Sequence, residues 1–273
     1  MTIQTATISA LYRYPVKSCR GHAVAGTRYD AHGLLNDRRW MIVSPEGDFI
    51  TQRELPRLAR VAPRLAPEGS LRLNAEGFEP VLVPAPQAPA RWHVRVWNDR
   101  VPAADAGDAP AAWLERVLGR AARLVRIGQG HQRPLKQDPG APPGVSAAFA
   151  DAYPFLLISE ASLAELNTRL PQPLPMNRFR PNIVVSGCAA FAEDRWRELR
   201  VGGQRFAVAA PCARCAITTT DQERGVRDGK EPLRTLATFR RIGPDTGVYF
   251  GQNVVQLQPS GWLRVGDSVE VIA

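Results

Sequence analysis

Four cysteines in 273 residues, Cys19, Cys188, Cys212 and Cys215, are too few for a small disulfide-stapled secreted scaffold. The four histidines, His22, His32, His93 and His131, are scattered and show no metal-ligand spacing. No segment reaches the roughly 18 consecutive apolar residues of a membrane helix. The opening MTIQTATISALYRYPVKS lacks the basic n-region and unbroken apolar h-region of a secretory signal. A soluble cytoplasmic protein with no membrane partner is the expectation. No GxGxxG loop, no GxSxG elbow and no internal repeat is present, so nothing points to a dinucleotide-binding, serine-hydrolase or solenoid protein. The 35 basic against 26 acidic residues leave a formal charge of +9, which favours anionic partners. That charge is dispersed, with no basic run and no interleaved aromatics, which argues against nucleic acid.

What is present suits a folded, strand-rich chain. Hydrophobic residues make up 44% of the sequence, enough for a sizeable core in two domains. Thr5 to Tyr14, Arg39 to Val43, Phe49 to Gln52, Glu79 to Val83 and Trp92 to Trp97 read as strands bounded by turn residues. Trp113, Leu114, Val117 and Leu118 fit one face of a helix from Ala109 to Leu118, and LVRI follows as a strand. Gly128 to Val145 concentrates glycine and proline, as a connection or as a lid over a site, and His131 within it is expected to face solvent. Beyond it come a buried strand FLLIS, a helix capped by Ser159, and a strand at Asn182 to Val185. A hairpin turning at Gly202 and Gly203, a helix from Pro232 to Arg240, and strands at Val248 to Leu257 and Ser268 to Ile272 follow. Runs of strands with few helical crossovers predict an α+β, β-rich fold with antiparallel sheets or barrels. The division expected is residues 1–125 and 126–273, with 126–148 as the connection.

The most informative stretch is PCARCAITTTDQERG, which sets Cys212 and Cys215 three residues apart directly after a hairpin strand. A tetrahedral zinc site needs four ligands, and the remaining cysteines and histidines are isolated. A thioredoxin-like dithiol belongs at a helix start in a βαβ unit, whereas a β-rich run surrounds this pair. Two readings stay open: burial of both thiols as small hydrophobes, or a thiolate that binds a soft metal. Arg214 between them favours a thiolate if its guanidinium points into the same cleft.

FRPNIVVSGC, AEDRWREL, PCARC with TTTD, and KEPLRTL resemble the C-terminal core of the MOSC family of molybdenum-cofactor proteins. YRYPVKSCRG, LLNDRRWMIVSPEG and FITQRELPRL resemble its N-terminal β-barrel partner domain, and the likeness is greatest to the mitochondrial amidoxime-reducing branch and its bacterial relatives. The resemblance implies a MOSC N-terminal β-barrel domain over 1–125 and an antiparallel, barrel-like MOSC domain over 126–273. It makes Cys215 the protein ligand of molybdenum and the catalytic cysteine, leaves the role of Cys212 open, and makes Cys19 and Cys188 packing residues. It assigns the molybdopterin and its phosphate to Lys17, Ser18, Arg38, Asp151, Ser159, Arg180 and Asn182, types that supply charge-assisted and oriented hydrogen bonds. Each also has an ordinary reading: Lys17 solvated, Arg38 in a surface ion pair, Arg180 packed between strands, Ser159 capping a helix. Ala152 and Tyr153 stand where the mitochondrial proteins carry small hydroxyl residues, so that part of the binding set does not transfer. Thr218, Thr219, Asp221, Gln252 and Asn253 either line the metal cavity or serve as strand-edge and turn polarity.

By the same resemblance the expected activity is reduction of a small N-hydroxylated or N-oxygenated substrate, such as a hydroxylamine, amidoxime or N-hydroxylated base. No cysteine follows Cys215, whereas a plant-type iron–sulfur domain needs four, so a separate ferredoxin or flavoprotein is the expected electron donor. The alternative is a cofactor or sulfur carrier that uses Cys215 without reductase activity of its own.

Overall fold

The computed structural model describes residues 5–66, 69–87, 89–128, 130–135, 145–241 and 247–272. Seven strands form a closed barrel, here β1 (Thr5–Arg13), β2 (Phe155–Ser159), β3 (Ile183–Ser186), β4 (Glu198–Val201), β5 (Gln204–Ala213), β6 (Tyr249–Gln256) and β7 (Ser268–Val271). Their order is β3-β2-β6-β5-β4-β7-β1, and β1 pairs with β3 to close the ring. Every pairing is antiparallel except β2 with β3. Parallel neighbours need a crossover, and helix α2 (Glu160–Thr168) lies between these two in the chain.

Closure by β1 ties the two ends of the chain together. The first strand belongs to the barrel of the second half, so the sheets do not divide at residue 125. Gly26–Asp30 likewise pairs with Gly261–Arg264. The physical reason is edge pairing: without β1, both β3 and β7 would present unpaired backbone. Along β1, Ala6 and Ile8 point inward while Thr5 and Thr7 are exposed; the register against β3 then shifts between Ile8 and Ala10, and the inward position passes to Leu11. The barrel core gathers Ile8, Leu11, Leu157, Ile183, Leu199 and Val254 around an edge-to-face trio of Tyr29, Phe155 and Phe206.

The first half builds a four-stranded antiparallel sheet ordered Trp40–Val43, Arg123–Ile127, Asp99–Asp105, Trp92–Val96, and a meander of Ala62–Leu65, Leu71–Ala75 and Phe78–Val83. Helix α1 (Asp108–Leu118) buries Trp113, Leu114 and Leu118 against this layer and ends at Gly119, whose φ of 71° supplies the left-handed cap. Phe149 from beyond the connection packs into the core of Met41, Val94, Val96 and Val125, which fixes the two halves together.

Two expectations fail locally. Phe49 to Gln52 is not a strand: Phe49 makes one bridge to Val43, and the chain then turns, with the Leu55 amide donating to the Thr51 carbonyl. His131 is buried rather than solvent-facing, with its ring beside His32 and Phe149. Burial pushes its imidazole down to about 4, and His32 and Arg133 add to the shift. Half of the expected lid, residues 136–144, lies outside the described residues. Among the described residues no helix is long and apolar enough to cross a membrane.

Candidate functional site

A cavity of about 620 Å³ opens where the loop after β1, the turn at residue 53, the start of β2, the segment before β3 and the end of β5 converge. Lys17, Ser18, Arg38, Asp151, Arg180, Asn182 and Cys215 all line it, so of the residues assigned to the metal and the pterin only Ser159 lies elsewhere. Of six non-glycine residues with positive φ among the described residues, Ser18, Arg38 and Arg180 are in this lining, at 63°, 48° and 57°. Side chains in the left-handed region cost on the order of 1–3 kcal/mol each and cluster at sites whose surroundings over-determine them.

One wall is a stack of cations on an aromatic ring. The guanidinium carbons of Arg38 and Arg180 lie 4.5 and 4.3 Å from the ring centroid of buried Tyr14. The Tyr14 hydroxyl donates to the Pro181 carbonyl at 3.1 Å. Arg38 is held by Asp37 and donates to Asn182 Oδ1 at 3.0 Å. Asn182 in turn is fixed by the Tyr12 carbonyl and the Leu156 amide. Burial works against the Arg38 charge, but Asp37, Tyr14 and Asp151 together more than offset it, so its pKa is raised; Arg180 is shifted down, by burial first and by Arg38 as well. Arg180 Nη2 is buried with no partner. A buried guanidinium nitrogen left unmade beside a second cation marks a place for an anionic acceptor.

A second part of the lining is an ion-pair cluster. Lys17, 4% exposed, donates to the Phe149 carbonyl at 2.8 Å and to Asp151 Oδ1. Arg53 donates to Asp151 Oδ2 at 2.9 Å. Burial raises the Asp151 carboxyl, but Lys17 and Arg53 overcome it and hold the group far below the usual carboxylate range. Arg53 is also held charged, against its burial, by Asp151 and then by the sulfur of Cys215. Arg53 was not anticipated from sequence; TQRELPRL carries no spacing that ties it to a thiol so far along the chain.

Burial pushes the Lys17 amine down from 10.5 to about 8, against the pull of Asp151. Between pH 8 and 10.5 the unfolded chain therefore holds a proton that the folded chain has released. Folding stability should rise with pH across that window, by a few kcal/mol at most at about 1.4 kcal/mol per pKa unit, while the site loses a positive charge. Chemical denaturation at pH 7.5 and 9.5 checks this: Lys17→Met should flatten the pH slope, and an unchanged slope would show that Lys17 does not titrate there.

Cys212 and Cys215 both line the cavity and both are half-buried free thiols. Arg214 points at the first of them, with Nη1 2.9 Å from Cys212 Sγ and Nη2 2.7 Å from the Phe179 carbonyl. The arginine that faces Cys215 is Arg53, from the other half of the chain. Among the described residues no three His, Cys, Asp or Glu side chains come together as a metal-holding group.

Ser159 is fully buried, and its alternative reading is the one the structure supports. Its hydroxyl accepts from the Ser162 amide at 3.0 Å as the N-cap of α2 and donates to Glu193 at 3.0 Å. Ser159→Ala should cost about 1 kcal/mol for the lost cap, with more for the buried Glu193, and leave the content of any bound group unchanged; a calorimetric melt beside a content assay checks both. Of the polar residues with two readings, Asn253 lines the cavity. Thr218 and Thr219 bond back to the carbonyls of Cys215 and Ala216, Asp221 accepts from the amides of Glu223 and Arg224, and Gln252 binds Asp194. These four serve the local backbone and one ion pair.

With this geometry in place, comparison with known proteins gives concordant matches. Residues 5–121 match a family profile described as the MOSC N-terminal beta barrel domain, and residues 145–270 one described as the MOSC domain. Human mitochondrial amidoxime-reducing component 1 is 36% identical, over 98% of this chain and 84% of its own length. Rat mitochondrial amidoxime reducing component 2 is 37% identical, over 97% of this chain and 83% of its own length. The zebrafish component 1 is 35% identical, over 97% and 85%.

Proposed function

The chain belongs to the MOSC family, and from that premise we propose that it is a molybdenum-cofactor-dependent reductase of N-hydroxylated compounds. The observation that carries the reading is the sharing of one cavity by the Cys215 thiol, the buried cations Lys17 and Arg180 and the half-buried Arg38, drawn from both halves. The relatives named for amidoxime reduction support it.

The residues fit the cofactor. Arg180 Nη2 and Arg53 Nη1 are buried N–H groups without partners in the site, which suits an acceptor-rich pterin and a dianionic phosphate. The half-buried Cys215 thiol suits a soft metal, while Cys212 Sγ is already met by Arg214. Cys215 would hold the metal, Arg38 and Arg180 the phosphate, and Lys17 and Ser18 the pterin edge. When bound, the group supplies two-electron reduction, for which the balance is R–NHOH plus two electrons and two protons to R–NH₂ plus water. The protein's own part is placement. Asp37 and Asn182 lock Arg38, and Tyr14 holds both guanidiniums in one stack, so the anion meets donors that need no reorganisation. Arg53 keeps a positive charge beside the sulfur. Electrons reach the site from a separate ferredoxin or flavoprotein; with a formal +9 on this chain an acidic donor docks fastest, and its association rate falls with salt.

Protein from a host that makes the cofactor should convert benzamidoxime to benzamidine with a reduced viologen dye as electron source. Metal and pterin bound, with no turnover of benzamidoxime or hydroxylamine, would replace the reductase by a carrier of the cofactor or of sulfur on Cys215.

A further inference from the structure

Trp97 is placed where a tryptophan is costly. It is the first loop residue between strands Trp92–Val96 and Asp99–Asp105, with φ at 58°, a left-handed conformation that a glycine or asparagine adopts more readily. Its residue surface is 41% open to solvent, so burial does not account for it. Three contacts nevertheless fix the indole. The Arg53 guanidinium carbon lies 4.6 Å from the ring, Phe49 packs at 5.4 Å, and Nε1 makes a long 3.4 Å bond to Asp151 Oδ1. Arg53 and Asp151 both line the cavity that holds Cys215, so the indole extends the cavity wall outward. Arg53 interacts with both the indole and the thiol, and so links the two.

We propose that Trp97 and Arg53 form a stacking platform for the planar, conjugated body of the substrate. Among the N-hydroxylated substrates of the reductase reading, the platform favours those with a planar body over hydroxylamine itself. The inference rests on that reading and adds to it the two residues that discriminate among its substrates. The N–O end of the substrate reaches the Cys215 side of Arg53, and the planar body packs along the arginine–indole stack. Every aromatic base or amidine presents a π-face, so the platform accepts planar groups without reading their hydrogen-bonding edges, and Arg53 adds a cation to the stack. Hydroxylamine itself is too small to touch both the reaction centre and the indole.

The test compares Trp97→Leu and Trp97→Phe with wild-type holoenzyme, using benzamidoxime and hydroxylamine as substrates and a reduced viologen dye as donor. Trp97→Leu should lower the ratio of kcat/KM for benzamidoxime to that for hydroxylamine about tenfold, chiefly through KM, the size of loss reported for removing a stacked base partner. Trp97→Phe should recover most of it. A purely structural role would lower both substrates alike and leave the ratio unmoved, and that result overturns the proposal. Calorimetric binding of benzamidine separates this inference from the reductase reading. If wild type turns over neither substrate, the reductase reading fails; the platform still stands if benzamidine binds about tenfold more weakly to Trp97→Leu, and falls if binding is equal.

Discussion

Cys215→Ala should abolish dye-driven reduction of an amidoxime, by more than about the 100-fold that even outer partners of a metal ligand contribute, while Cys212→Ser keeps a measurable share. The two thiols are three residues apart and share one cavity, so the contrast is demanding. The structure separates them by what each touches. Cys212 packs against the cluster of Leu156, Ile158 and Phe250 and receives Arg214 at 2.9 Å, so its sulfur already has a cationic partner belonging to its own loop. Cys215 ends the run from β5, and its carbonyl caps the short helical turn Ala216–Thr219 by accepting from the Thr218 amide and hydroxyl. Its backbone is committed to structure, whereas its side chain belongs to none of the hydrophobic clusters and meets the Arg53 charge at the cavity. Cys215→Ala should therefore shift stability by no more than about 0.5 kcal/mol, as a substitution outside the core does. Thermal melts beside turnover assays check this: loss of activity with an unchanged melt is the predicted pair, and equal activity in both variants would remove Cys215 from the chemistry.

Asp151→Ala should be the most destabilising change in the site, by about 3 kcal/mol, the low end of the cost of breaking a buried ion pair. Lys17 would remain buried with the Phe149 carbonyl alone, and Arg53 would lose the carboxylate that holds it. The low end applies because the Asp151 side chain is 46% exposed to the cleft, while that of Lys17 is 5% exposed. The pH dependence follows from the depressed carboxyl. Its contribution is complete above the unfolded carboxylate value of about 3.9 and is lost as pH falls below that value toward the lower folded one. Urea midpoints for wild type and Asp151→Ala should lie closer together at pH 3 than at pH 7 without meeting, because the folded carboxyl is still ionised at pH 3. A variant as stable as wild type at pH 7 would mean that Lys17 finds another partner or loses its proton at little cost.

How much of this was legible in the sequence differs from residue to residue for physical reasons. Local periodicity gave α1, α2 with its Ser159 cap, and the hairpin at Gly202 and Gly203, because each of these is decided by contacts within a few residues. The pairing of β1 with β3 and β7 was not legible, since a strand's alternation says which face is buried but not which strand lies beside it. The pair at Cys212 and Cys215 stood out as a motif, yet residue types left its meaning open until the resemblance of whole blocks was considered. Ser159 shows the hazard of a residue with two roles: the same position read as a cap and as a ligand, and burial with Glu193 decided for the cap. Arg53 and Trp97 were missed because both lie in turns whose side-chain directions depend on tertiary contacts with Asp151. His131 sits in a glycine- and proline-rich stretch that suggests exposure, but Arg133 bonds to the carbonyls of Ala147 and Ala150 and ties that segment down.

The central claim is that one cavity, built from both halves of the chain, holds a metal through Cys215 and a pterin phosphate through Arg38 and Arg180. The direct measurement is the metal and pterin content of wild type beside Cys215→Ser, both purified from a host that makes the cofactor. The account predicts roughly one molybdenum and one pterin per wild-type chain, with metal coordination altered or lost in Cys215→Ser. Wild-type protein that carries neither metal nor pterin would contradict it and leave the paired thiols as packing residues.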